Sequence, residues 1–279
     1  MAINLVTKYS SKIEEGFSLD SLVFGKGTAK YDWDGTDTVK SLSPTTVAPT
    51  DYDKTKTDGS RFGTPTEMED VENTYTVTQD KSFYLTIDKG NNTAQLMVKA
   101  SGRMMNKEVK EQITPMLDKY ALAQYVGTTG VQAKVDGALT ADNIFAAIVA
   151  ARSAMVNGKV PTTGLMGWIR ATDYGTLLQT GKIQYLQEIG SKAFSKGYVG
   201  TVGGINFIEV PDEYFATNIN FLVAHPSVLM PVKKITTLRI LTDDPLLDGA
   251  SLQGRYKYDA FVLKQKVKGV YVSKNAAQA

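Results

Sequence analysis

Any chemistry would have to start from very few side chains. The 279-residue chain has one histidine, His225, and no cysteine, which excludes disulfides, thiol nucleophiles and thiolate metal sites. His225 stands before Pro226 at the end of an apolar run, and a following proline pushes it toward extended geometry. Without a second histidine or a cysteine a zinc site would need implausible ligands, and a Ser-His-Asp triad could only be built on His225 itself. No G-x-S-x-G stretch presents a serine. Gly197, Gly200, Gly203 and Gly204 match neither phosphate-cradle spacing and read as turn glycines. Asp32, Asp34 and Asp37 around Gly35 have the look of a calcium loop, but the twelfth position is Ser43 where a glutamate is required, so they read as a solvated turn. No enzymatic activity, cofactor or metal is expected.

The charged residues that remain are better suited to contact than to catalysis. Lys107, Glu108, Lys110 and Glu111 form mixed pairs on one helix face, worth a few tenths of a kcal/mol each within a helix. Between copies of the chain the same charges could set register. The element that carries them is the centre of the sequence: from Asn92 to Val126, apolar or small residues recur at Ala94, Met97/Val98, Ser101, Met104/Met105, Val109, Ile113, Met116/Leu117 and Tyr120, the spacing of one helix face. Asn92 with Gln95 resembles a capping box, and Gly127 lies where a helix stops. Such a helix would be roughly 50 Å long. Pro115 removes the hydrogen bond to Glu111, so a kink or break is expected there.

Composition bounds the rest. A hydrophobic content of 42% is that of a globular protein, and a net charge of +2 gives no global basic field for holding nucleic acid. The start of the chain lacks the layout of a signal peptide, and the longest apolar run, Ile144 to Ala151, is too short to span a bilayer, so a soluble, intracellularly made protein is expected with no membrane partner.

The two ends of the helix border unlike halves. Leu5, Tyr9, Ile13, Phe17 and Leu22 outline a short amphipathic N-terminal arm, residues 1–30. From Tyr31 to Gly90, Asp, Thr, Gly and Pro dominate; between Ser43 and Thr74 the only sizeable apolar side chains are Val47, Tyr52, Phe62, Met68 and Val71, too few for a core. Tyr75, Val77, Phe83, Leu85 and Ile87 then alternate as in a half-buried strand, with a partner expected around Thr38 to Val47. Residues 31–90 therefore read as a long hairpin with a polar tip, which is marginal alone and needs another chain to lie on. Beyond Gly127 the pattern is mixed α/β. Thr140 can cap a helix with a face of Ile144, Phe145, Ile148, Arg152 and Met155, ended by Asn157-Gly158. Strands are predicted at Leu165–Ile169, Ile205–Val210, Ile219–Ala224 and Thr237–Leu241, a helix at Asp173–Thr180, and two closing strands in RYKYDAFVLKQKVKGVYVSK.

The order of these features resembles the major capsid proteins of tailed bacteriophages with the HK97-type fold. The matching pieces are SRFGTPTEMED followed by TVTQDKSFYLTIDKGNN, the helical ITPMLDKYALA, GYVGTVGGINFIEVP, INFLVAHPSVLMPVKK, and RYKYDAFVLKQKVKGVYV. The resemblance implies an α+β fold with an N-terminal arm (1–30), an extended β-hairpin loop (31–90), a peripheral domain with a long spine helix (91–139 and 255–279) and an axial domain (140–254). It implies a non-enzymatic shell protein that assembles with itself as hexamers and pentamers into an icosahedral head, in the virion after assembly in the host cytoplasm. Its partners would be a portal protein and packaged double-stranded DNA contacted non-specifically. No long scaffolding segment precedes the arm, so a separate scaffolding protein, or none, is expected, unless the chain is a trimmed form. Contact candidates between subunits are Tyr52, Arg61, Phe62 and Met68 in the hairpin and Lys107, Glu108 and Glu111 on the helix. Some shells of this kind cross-link a hairpin lysine to a neighbour, and Lys54 and Lys56 are available. The alternative is an encapsulin-like compartment of the same fold that packages an enzyme.

Overall fold

A computed structural model describes residues 20–29, 37–90, 101–180, 198–241 and 248–275. The arm pattern up to Phe17, the Asn92 capping box, Asp32 and Asp34 lie outside the described residues. The chain divides into two units: Tyr31–Val77, and Met1–Lys30 together with Thr78–Ala279.

In the smaller unit β1 (Thr38–Pro44) runs antiparallel to β2 (Asp70–Thr76), in a register from Thr38 opposite Thr76 to Pro44 opposite Asp70. The alternation expected to continue this hairpin to Ile87 belongs to two strands. After a break at Val77 and Thr78, β3 (Gln79–Asp88) pairs instead with β10 (Gly249–Val262), from Gln79 opposite Tyr258 to Asp88 opposite Gly249. A period of two identifies a strand without naming its partner. Residues 79–90 therefore do not extend the 31–90 hairpin.

In the larger unit the helical path through 101–127 has three parts, α1 (Ser101–Glu108), a π turn (Val109–Ile113) and α2 (Thr114–Gly127). The expected disturbance at Pro115 takes the form of that π turn. The Thr114 amide donates to the Val109 carbonyl, and the Thr114 hydroxyl donates to the same oxygen at 3.0 Å. An inserted residue thus absorbs the register that proline disrupts, and the helix continues without breaking. Met105, Ile113, Leu117, Ala121 and Tyr125 are buried along one face.

The rest of the unit is built on two sheets. β9 (Leu229–Leu241), β10 and β3 form one, in the order β3-β10-β9. The other has the order β4-β11-β8-β5-β7-β6, from β4 (Gln132–Val135), β5 (Met166–Arg170), β6 (Tyr198–Val202), β7 (Ile205–Val210), β8 (Ile219–Ala224) and β11 (Val270–Lys274). The expected axial span 140–254 thus supplies only part of this second sheet, since β4 and β11 come from outside it. Strand alternation makes this sheet two-faced. Trp168, Ile208, Leu222 and Ala224 pack in a core shared with α2 and β10, whereas Ile169, Phe207, Phe221 and Val223 pack with α3 (Ile144–Asn157) and α4 (Ala171–Gln179). Burial on both faces explains INFLVA, which is buried throughout and apolar except for Asn220, whose side-chain amide donates to the Gly137 carbonyl at 2.8 Å. The Gly203-Gly204 pair turns β6 into β7 with φ of 58° and 79°, a left-handed conformation that glycine adopts without a Cβ clash. Thr140 does not cap α3; the helix starts from Asn143, whose side chain instead accepts from the Thr140 amide at 2.8 Å.

One buried polar atom in the first core has a consequence for stability. The Tyr125 hydroxyl has no hydrogen-bond partner among the described residues. Burial pushes its pKa far above the ordinary tyrosine value, and the charge of Asp118 adds to the shift. A raised folded-state pKa means stability that is held below the unfolded value and lost as pH rises past it toward the folded value. Tyr125→Phe is expected to stabilise the fold by about 1 kcal/mol at neutral pH. It should also lessen the loss above about pH 10. Thermal unfolding at the two pH values checks both.

Candidate subunit-contact surfaces

The hairpin loop that joins β1 to β2 is held by short-range polar bonds. Thr45 N–H donates to the Glu69 carbonyl at 2.7 Å, and Asp53 N–H donates to the Arg61 carbonyl at 3.2 Å. Asp53 Oδ1 accepts from both the amide and the hydroxyl of Thr55, at 2.9 and 2.6 Å, and these bonds hold its pKa below the usual carboxylate value. Arg61 Nε donates to the Lys56 carbonyl at 3.1 Å. Lower down, Lys40 Nζ sits 2.6 Å from Glu72 across the strands.

Apolar cover is what the loop lacks. Tyr52 and Phe62 meet edge to face, with centroids 5.0 Å apart. Even so, Phe62 is 80% exposed and Met68 and Leu42 each 65%. Val47 and Val71 are exposed as well. A run of large apolar side chains on a slender, polar-bonded ribbon is the pattern of a surface that another body covers. The structure brings Tyr52, Phe62 and Arg61 together at the loop, while Met68 stands on the returning limb.

Where the chain leaves the hairpin, a buried carboxylate pins it. Asp259, 3% exposed, accepts from the Thr78 amide and hydroxyl at 2.9 Å each, from the Tyr120 hydroxyl at 3.0 Å and from the Ala260 amide at 2.8 Å. Burial raises the Tyr120 pKa, and hydrogen bonds from the Thr78 side push the other way. A second buried carboxylate fixes the end of the arm. Asp118, 1% exposed, accepts from Ser21 Oγ at 2.7 Å and from the amides of Leu22 and Phe24 at 2.7 and 2.9 Å. Trp168 Nε1 donates to the Leu22 carbonyl at 3.0 Å, so residues 21–24 are bonded from both the helix and the sheet. Farther along, Gly27 passes so close to β9 that a Cβ would come within 2.4 Å of the Leu229 carbonyl oxygen.

Two of the helix candidates, Lys107 and Glu111, pair within their own helix. Lys107 Nζ lies 3.9 Å from Glu111 Oε2, four residues on and both partly buried. Glu108 is half-buried, and its charge adds to the burial that raises the Tyr256 pKa. His225 is structural: Nδ1 accepts from the Ser227 amide at 3.2 Å and meets its hydroxyl at 2.8 Å, capping a short 3₁₀ turn. Among the described residues no group of three or more His, Cys, Asp or Glu side chains could hold a metal ion, and no helix is long and apolar enough to cross a membrane.

Sequence reasoning missed several exposed apolar side chains in the larger unit. They are Tyr84, Leu85, Leu238 and Ile240 on the three-stranded sheet, Val149 and Val156 on α3, and Leu178 on α4. The alternation of Leu238 and Ile240 was visible, but it does not say whether the apolar face meets the chain's own core or the outside.

No protein-family model and no curated protein matches the sequence. Solved structures do match across nearly the whole chain. A chain of Mycobacterium phage Che8 is similar at 17% identity and TM-score 0.72, covering 98% of both chains. The capsid structure of Cyanophage P-SCSP1u follows at 13% identity and TM-score 0.71, covering 99% of this chain and 94% of that one. The mature capsid of bacteriophage PhiM1 gives 14% identity and TM-score 0.72, over 99% and 93%. At such identities the likeness is one of fold, and the chain has the α+β, HK97-like fold of phage capsid structures.

Proposed function

We propose that the protein is the major capsid protein of a tailed phage, a structural shell subunit and not an enzyme. The observation that carries the proposal is the exposed apolar series Leu42, Val47, Tyr52, Phe62 and Met68 on a ribbon with too few such residues for a core of its own. Covering one large side chain contributes about 2 kcal/mol. Repeated at every copy in a closed lattice, contacts of that size hold a shell although no single interface is tight. Tyr52, Arg61, Phe62 and Met68 are the hairpin contacts in this reading, with Lys107, Glu108 and Glu111 contributing from the helix. Hexamers and pentamers would enclose double-stranded DNA in an icosahedral head assembled in the host cytoplasm, with a separate scaffolding protein and a portal. The capsid structures of phages among the neighbours favour a genome over an encapsulated enzyme as the cargo. Electron microscopy of the purified chain, with and without a scaffold, is expected to show closed particles or capsomers. A dispersed monomer under every condition would contradict the proposal.

A further inference from the structure

A concavity of about 520 Å³ lies where the end of α3 meets the turns before β9 and before β11. Four lysines line it, Lys159, Lys264, Lys266 and Lys268, together with His225, and no acidic side chain is among its lining residues. Like charges gathered around one hollow repel one another. In a chain whose net charge is only +2, that grouping is not a by-product of a basic composition.

Lys159 adds an independent observation. Its φ is 60°, the only positive value among the described non-glycine residues. The position is the left-handed residue that closes α3: Lys159 N–H donates to the Val156 carbonyl at 2.9 Å and Val160 N–H to the Met155 carbonyl at 3.0 Å. Glycine fills such a position without steric cost, and a lysine there carries strain. A cation at a helix C-terminus recovers part of that cost from the dipole. Lys264, Lys266 and Lys268 reach the same hollow from a separate 3₁₀ segment, Lys264–Gly269, that leads into β11. His225 lines the same hollow, its Nδ1 accepting from the Ser227 amide.

We propose that this hollow binds the phosphate groups of a polyanion, with a nucleic-acid backbone or inorganic polyphosphate as the source. Lysine serves phosphate as a mobile point charge, whereas carboxylate recognition favours the bidentate fork of arginine, and no arginine lines the site. No Phe, Tyr or Trp lines it either, so bases are not stacked and recognition is independent of sequence. The site does not rest on the shell reading. Should that reading hold, the backbone would be that of the packaged DNA.

The test uses the full-length purified chain, titrated with a fluorescent DNA duplex, with inorganic polyphosphate and with polyglutamate over a salt series. Lys266→Gln/Lys268→Gln is expected to lower the magnitude of the log–log salt slope by about 2, close to 1 per lysine. Lys159→Gly should weaken polyanion binding while raising Tm by a few degrees, because the strain goes with the charge. Weakening for duplex alone identifies nucleic acid as the source, and weakening for polyphosphate alone identifies the free polymer; both support the site. Unchanged slopes in the double variant, or equal capture of polyglutamate with the same dependence on the lysines, would overturn it. Particle formation is scored separately, so failure here leaves the shell reading standing.

Discussion

Asp118→Ala is expected to remove about 4 kcal/mol of folding stability, seen in urea unfolding. For a chain of this size that corresponds to a fall in Tm of roughly 10 °C. The carboxylate accepts three hydrogen bonds at 2.7 to 2.9 Å while 1% exposed. Its loss strands the buried amides of Leu22 and Phe24 without an acceptor, and each orphaned donor costs on the order of 1–3 kcal/mol. Relief of the buried charge offsets part of this, which keeps the figure below the sum of the three bonds. Asp118→Asn retains one acceptor oxygen but sets an NH₂ against amide donors, so about half the loss is expected. Because Trp168 bonds the Leu22 carbonyl, its fluorescence should shift to the red in the alanine variant before global unfolding. A loss below about 1 kcal/mol would mean that residues 21–24 are held by packing alone.

Deleting residues 50–68 should abolish or severely weaken particle formation while leaving the Tm of the remaining chain within about a degree of the parent. The deletion takes out Tyr52, Phe62 and Met68 and keeps β1 and β2, whose register ends at Pro44 opposite Asp70. It also spares Thr78 and its bonds to Asp259, which lie within the larger unit. Phe62→Ser with Met68→Ser is a milder form. It should raise the concentration needed for assembly by roughly a thousandfold, since two side chains of about 2 kcal/mol each are lost per copy and each 1.4 kcal/mol is a factor of ten. Analytical ultracentrifugation and electron microscopy read the outcome. Loss of the folded larger unit on deletion would show that the hairpin belongs to its core.

These two sites differ in how far the sequence revealed them. The hairpin was legible because poverty in apolar residues is a local property, and Phe62 and Met68 stood out against it. Its extent was not. Phe83, Leu85 and Ile87 announce a strand, but their partners are Gly254, Leu252 and Ala250, some 165 residues on in the chain. The strands Ile205–Val210 and Ile219–Ala224 were readable because burial on both faces leaves short, largely apolar runs, each interrupted by an asparagine. Asp118 carried no signal: it sits in the helix beside Leu117 and Lys119, and its partners lie 94 to 97 residues away. Asp259 is similar, at 181 residues from Thr78. Proline at 115 foretold a disturbance, but a local rule cannot say that a π turn would absorb it. The basic hollow escaped notice because Lys159 and KQKVK are far apart in sequence and unremarkable separately.

Hydrogen exchange of the backbone amides between residues 45 and 69 tests the account most directly, measured on the dispersed chain and on assembled particles. Protection that arises only in the particles is the expected result, since few of the loop's bonds are shielded from water in a single copy. Equal protection in both states would contradict the claim that neighbouring copies order this segment.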